Sequence, residues 1–138
     1  MKSTFFIRTP RCLAVLLLPL LAAWGCGKRA DVTGKWDGTV DTSSIAGAVR
    51  SGHATMHIVL TIRREGDQIK ATVATPDEGP GETSADTVEF KDNSLTVKVS
   101  KRLSIYEATL NSNGTELNGR FKQAPYNLPL ALKKSSGF

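Results

Sequence analysis

The sequence predicts an all-β fold, a single small antiparallel domain of about eight strands arranged as an up-and-down barrel or a strongly curled sheet. Three observations carry that prediction. Beyond residue 33, apolar and polar residues alternate in short runs, which is the period of a strand buried on one face. The runs are separated by turn chemistry such as Gly66-Asp67, Asp92-Asn93 and Asn113-Gly114. No part of this region carries a helical apolar stripe, although residues 42–49 have the composition for one short turn. Successive antiparallel strands leave two open edges unless the sheet curls on itself, so closure is favoured over a flat sheet. A two-sheet sandwich is the alternative architecture.

The first run, residues 34–42, places Trp36, Gly38 and Val40 on one face and Lys35, Asp37 and Thr39 on the other. Residues 55–64 put Met56, Ile58, Leu60 and Ile62 inward against His57, Val59, Thr61 and Arg63. A tight turn at Glu65-Gly66-Asp67 leads into residues 68–75, with Ile69, Ala71 and Val73 inward. The acidic Pro/Gly loop 76–82 precedes a fourth run that ends in Val88 and Phe90, and Lys91-Asp92-Asn93 turns it back into Leu95, Val97 and Val99. Residues 103–111 change phase, because Leu103 and Ile105 share one parity while Tyr106, Ala108 and Leu110 share the other. A β-bulge near Ile105 is expected to reconcile them. Asn113-Gly114 then leads to Leu117, Gly119 and Phe121, and residues 127–134 supply Leu128, Leu130 and Leu132. The outer faces carry Lys35, Asp37, Arg63, Lys70, Lys98, Arg120 and Lys122. A barrel that crosses a membrane would turn its apolar face outward, in strands of about 9 to 11 residues, so an apolar interior is the expectation here.

The N-terminus has a different logic. Residues 1–11 are basic, with Lys2, Arg8 and Arg11 and no acid, and they lead into the apolar run 12–24. That run is too short to cross a hydrocarbon core of roughly 30 Å as a helix, which takes about 20 residues, and it has the layout of a secretory signal. At its end, Leu21-Ala22-Ala23-Trp24-Gly25-Cys26 resembles the lipobox of bacterial lipoproteins. Gly25 and Cys26 match that motif, and Trp24 is bulkier than it prefers. The resemblance implies cleavage after residue 25, lipidation of Cys26 and effectively permanent attachment to a membrane through several acyl chains. Gly27 in place of aspartate after the cysteine implies the outer membrane of a Gram-negative envelope. The expected organisation is a signal peptide over 1–25, a lipidated cysteine and short tether over 26–33, the β domain over 34–134 and a frayed end over 135–138. The other cysteine, Cys12, lies in the leader, so no disulfide is expected in the domain. Removing the leader's three cations brings the formal charge from +5 to about +2, and no basic stripe interleaves with aromatics. Nucleic acid is therefore not an expected partner.

Four features of the remaining chain recur as a pattern: Gly34-x-Trp36-x-Gly38, the loop Thr75-Pro76-Asp77-Glu78-Gly79, Tyr106-x-Ala108-x-Leu110, and Leu117-x-Gly119-x-Phe121-x-Gln123 followed by Leu128-x-Leu130. The pattern resembles the small β module that precedes the catalytic domain in a group of secreted bacterial α/β-hydrolases. That module has glutamine where Glu78 stands, glycine where Ala108 stands and tryptophan where Phe121 stands. No Gly-x-Ser-x-Gly nucleophile elbow is present, so the resemblance implies an accessory module and transfers no catalytic residue. Gly34-x-Trp36-x-Gly38 also resembles the opening strand of lipocalins, in which a tryptophan plugs one end of a ligand-holding barrel. Core filling beside two small residues explains the same spacing.

A barrel of about eight strands can be filled by its side chains or hold one small ligand. The candidate cavity lining is Trp36, Ile58, Leu60, Ala71, Phe90, Val97, Tyr106, Gly119 and Phe121, with Gly38, Ala71, Ala108 and Gly119 small enough to leave room. His53 and His57 lack the further ligands a metal site needs, and the acids Asp77, Glu78, Glu82 and Asp86 lack the register of a calcium loop. Ser100 and Ser104 have no evident base, so neither a metal, a cofactor nor enzymatic catalysis is expected. Two functions remain. The first is a non-catalytic, membrane-anchored envelope module that binds a small apolar ligand. The second is a filled barrel that docks on a separately encoded secreted hydrolase or another envelope protein.

Overall fold

The structure is a computed structural model in which residues 30–45, 52 and 54–136 are described. Alternation of apolar and polar residues builds β1 (Gly34–Asp41), β2 (Thr55–Glu65), β3 (Gln68–Ala74), β4 (Glu82–Ser84), β5 (Thr87–Lys91), β6 (Ser94–Val99), β7 (Ser104–Leu110), β8 (Glu116–Gln123) and β9 (Tyr126–Lys134). These nine antiparallel strands form one strongly curled sheet in the order β4-β3-β2-β1-β9-β8-β7-β6-β5. All described strands belong to this one sheet, so the sandwich alternative is set aside. The chain closes on itself through β1 and β9, paired at Trp36 with Lys134 and at Asp37 with Lys133.

The fourth expected run is two strands rather than one. Ala85 N–H donates to Ala71 O on β3 at 2.9 Å, and the next residue, Asp86, donates its N–H to Lys98 O on β6 at 2.8 Å. The chain thus leaves one sheet edge and joins the other within a single peptide, and the curl brings both edges together there.

The turns follow from their residues. Glu65 pairs with Gln68 across Gly66-Asp67, with Gly66 at φ +60°. Lys91 pairs with Ser94 across Asp92 (φ +51°) and Asn93 (φ +62°), the doubly left-handed turn whose twist matches antiparallel strands. Asn111 organises the β7–β8 turn, its side-chain oxygen accepting the Thr115 N–H at 2.9 Å.

The bulge expected near Ile105 is absent. β7 keeps one phase throughout, with Ser104, Tyr106, Ala108 and Leu110 buried and Glu107 and Thr109 exposed. The break falls two residues earlier, where a 3-10 turn (Ser100–Arg102) ends on Leu103 in the left-handed region (φ +52°). An αL residue and a bulge shift the parity of a sequence in the same way.

The inward faces meet in one core that includes Trp36, Leu60, Ile62, Leu95, Leu117, Leu130 and Leu132. Val32 and Trp36 close one end of the curl: both are buried, and the indole N–H donates to Val32 O at 2.9 Å. The Lys134 ammonium lies 5.4 Å from the centre of the Trp36 ring. This closed end also carries the β2–β3, β5–β6 and β7–β8 turns, and the opposite end carries the 3-10 turns Pro76–Glu78 and Ser100–Arg102. Among the described residues, no helix is long and apolar enough to cross a membrane.

Candidate functional site

The interior comes first, because a ligand-holding barrel must have space there. Among the described residues, a space of about 20 Å³ inside the curl is lined by Ile58, Leu60, Val73, Val97, Val99, Ser104, Tyr106, Phe121, Leu130 and Leu132. That is room for about one water molecule. Five of the nine nominated lining residues, Ile58, Leu60, Val97, Tyr106 and Phe121, surround this space. The other four do not. Trp36 and Ala71 are packed in the core, and Phe90 packs against it from a half-buried position.

Gly119 has a different role from the one expected of it. A Cβ at this position would collide with the backbone oxygen of Glu107 and with Ala108 on β7. The absent side chain is taken up by close approach of two strands and leaves no hollow. At Gly38, a Cβ would meet Ala131 O and the Leu132 side chain on β9. Tyr106 adds a polar clamp inside the core, its hydroxyl lying 3.0 Å from Leu117 O and 3.2 Å from Leu130 O. Burial pushes the ionisation of this phenol upward.

At the end opposite the Trp36 plug, the histidine and the acidic loop are tied to protein partners. His57 Nε2 lies 2.7 Å from Asp37 Oδ1, and the His57 backbone N–H donates to Asp77 Oδ2 at 2.7 Å. Glu78 Oε2 accepts from Thr75 Oγ1 at 2.9 Å and from the Arg102 guanidinium at 3.0 Å. Asp86 accepts the Ser100 N–H at 2.6 Å, which holds its carboxyl below the usual carboxylate range. The carboxylates Asp77, Glu78 and Asp86 thus fasten loops, and no three His, Cys, Asp or Glu side chains converge to hold a metal among the described residues. His53 and Cys26 lie outside the described residues.

The plugged end holds an arrangement not picked out from the sequence. Asp31, Thr33, Arg63, Arg64 and Lys134 line a cleft of about 520 Å³ beside the start of β1. Asp31 accepts the Thr33 N–H at 2.9 Å and the Thr33 hydroxyl at 2.8 Å. These bonds hold its carboxyl below the usual range, with smaller help from Lys134 and Arg64. Arg63 stands directly across from Lys70 in the β2–β3 ladder. The signal was available, since a two-residue turn at Gly66-Asp67 fixes Glu65 against Gln68 and hence Arg63 against Lys70.

Compared with known proteins, the chain matches no family model and no curated entry.

Proposed function

We propose that this protein is a membrane-anchored cell-envelope lipoprotein, held through Cys26, whose filled β domain is a non-catalytic interaction module. The interior carries the choice between the two readings. Sites for small molecules enclose about 300 to 1,000 Å³, whereas the space inside this curl among the described residues is about 20 Å³. Binding therefore belongs to the outer surface, and the fitting partner is another envelope protein, such as a separately encoded secreted hydrolase. The leader and the sequence ending in Gly25-Cys26 support the anchor, and Gly27 in place of aspartate supports the outer-membrane location.

Two measurements test the reading. Cells grown with radiolabelled palmitate should label the wild-type chain in the membrane fraction, and Cys26→Ser should abolish the label and release the protein from that fraction. Native mass spectrometry of a fragment from Gly27 to Phe138 should give the mass of the bare chain. An unlabelled wild-type protein overturns the anchor, and a retained small apolar molecule overturns the filled module.

A further inference from the structure

From the plugged end of the barrel we infer that Arg63, Arg64, Lys70 and Lys134 form a docking surface for anionic phospholipid headgroups, which seats the domain on the membrane to which it is tethered. The inference rests on the lipoprotein reading for its location and on the structure for its charges. None of the four cations forms an ion pair among the described residues. Arg63 and Lys70 are cross-strand neighbours on the same outer face, and like charges placed opposite one another destabilise a sheet. The direct pairing is unfavourable even though Lys70 shares a neighbouring cleft with Asp67 and Glu89, and an external anion between the two cationic side chains would relieve the repulsion. Arg64 and Lys134 share the cleft with Asp31, whose carboxylate is already engaged by Thr33.

Chain length fixes where this surface lies. Ala30 lines a cleft together with Lys134, so the tether enters the fold at the plugged end, beside Lys134. Three residues separate Cys26 from Ala30, and the four steps between them span at most about 14 Å. An acylated Cys26 therefore holds Arg64 and Lys134 near the headgroup layer, while Lys101 in the opposite turn faces away. Lys28 and Arg29 add two cations within the tether itself. Each basic side chain near an anionic surface contributes about 1 kcal/mol, so the cluster acts together without the anchor, and tethering strengthens it by raising the local concentration of the two surfaces.

The test uses the fragment from Gly27 to Phe138, which holds every described strand and the whole described core. Its sedimentation is compared between vesicles of phosphatidylglycerol in phosphatidylcholine and vesicles of phosphatidylcholine alone. The wild type should follow the anionic vesicles only, and added salt should release it. The double variant Arg63→Glu with Lys70→Glu should lower the bound-to-free ratio by more than about tenfold. Reversal at the far end, Lys98→Glu with Lys101→Glu, makes the same change in net charge and should leave the ratio within about twofold, as expected for a localised surface.

Equal binding to neutral vesicles, no binding to either, or equal loss in both double variants overturns the inference. Displacement by millimolar inorganic phosphate would identify a small-anion site and overturn it as well. Palmitate labelling of the full chain separates this result from the anchor. Labelled Cys26 with an indifferent fragment removes the docking surface alone, and an unlabelled chain with a binding fragment removes the anchor alone.

Discussion

Gly119 and Tyr106 both sit in closely fitted surroundings. The strands β7 and β8 approach so closely at Gly119 that any side chain must push against the Glu107 carbonyl, which belongs to the backbone and has little freedom to yield. Gly119→Val is therefore expected to cost about 3 kcal/mol, the upper part of the range for overpacking. A urea titration would read this as a lower midpoint at unchanged slope. A hollow behind Gly119 would instead let the valine pack and keep the midpoint. The sequence shows only that a small residue occupies an inward position. Whether such a residue opens a space or lets two backbones meet depends on the local curl, and for that reason the expected roominess of the barrel was not legible in it. Trp36 was more legible, because a large apolar residue on an inward face is buried whichever way the sheet bends.

At the scale of elements, the alternation and the turn residues were enough to locate the strands, and two departures show where that information ends. The segment between the loop ending at Glu82 and the turn beginning at Lys91 reads as one run, yet it changes partner at Ala85-Asp86, and no local propensity encodes which neighbour a backbone N–H will find. Leu103 shifts the parity of the following strand from a left-handed conformation with its side chain 80% exposed. The left-handed region costs a non-glycine residue about 1 kcal/mol or more. Leu103→Gly removes that cost and an exposed apolar side chain together, offset in part by the added freedom of glycine in the unfolded chain. The variant should be at least as stable as the wild type, with a Tm higher by up to about 4 °C. A fall in Tm measured by differential scanning calorimetry would show that the Leu103 side chain has a packing partner that outweighs its strain.

For the molecule as a whole, the groups with displaced ionisation bound the stable range on both sides. Asp31, Asp41 and Asp86 all have folded-state values lowered by hydrogen bonds from Thr33, Ser43 and Ser100. Their contribution is present above the unfolded carboxylate value, near pH 4, and is lost as pH falls through the lower folded values. Tyr106 bounds the alkaline side with the opposite sign. Burial raises its folded value, so the neutral phenol's contribution is fully present below about pH 10, where the unfolded phenol begins to ionise. Above that pH the unfolded state gains free energy from ionisation that the folded state resists, and stability should fall by up to about 1.4 kcal/mol per pH unit from this group. Tyr106→Phe separates the two roles of the hydroxyl. At pH 7 it should cost about 1 kcal/mol, because Leu117 O and Leu130 O lose their shared donor in a buried setting. Between pH 10 and pH 12 the variant should lose stability less steeply than the wild type, so that the difference between the two narrows. Parallel curves across that interval, from urea titrations at each pH, would mean that Tyr106 ionises as readily in the folded barrel as in the unfolded chain and that the core admits water around its hydroxyl.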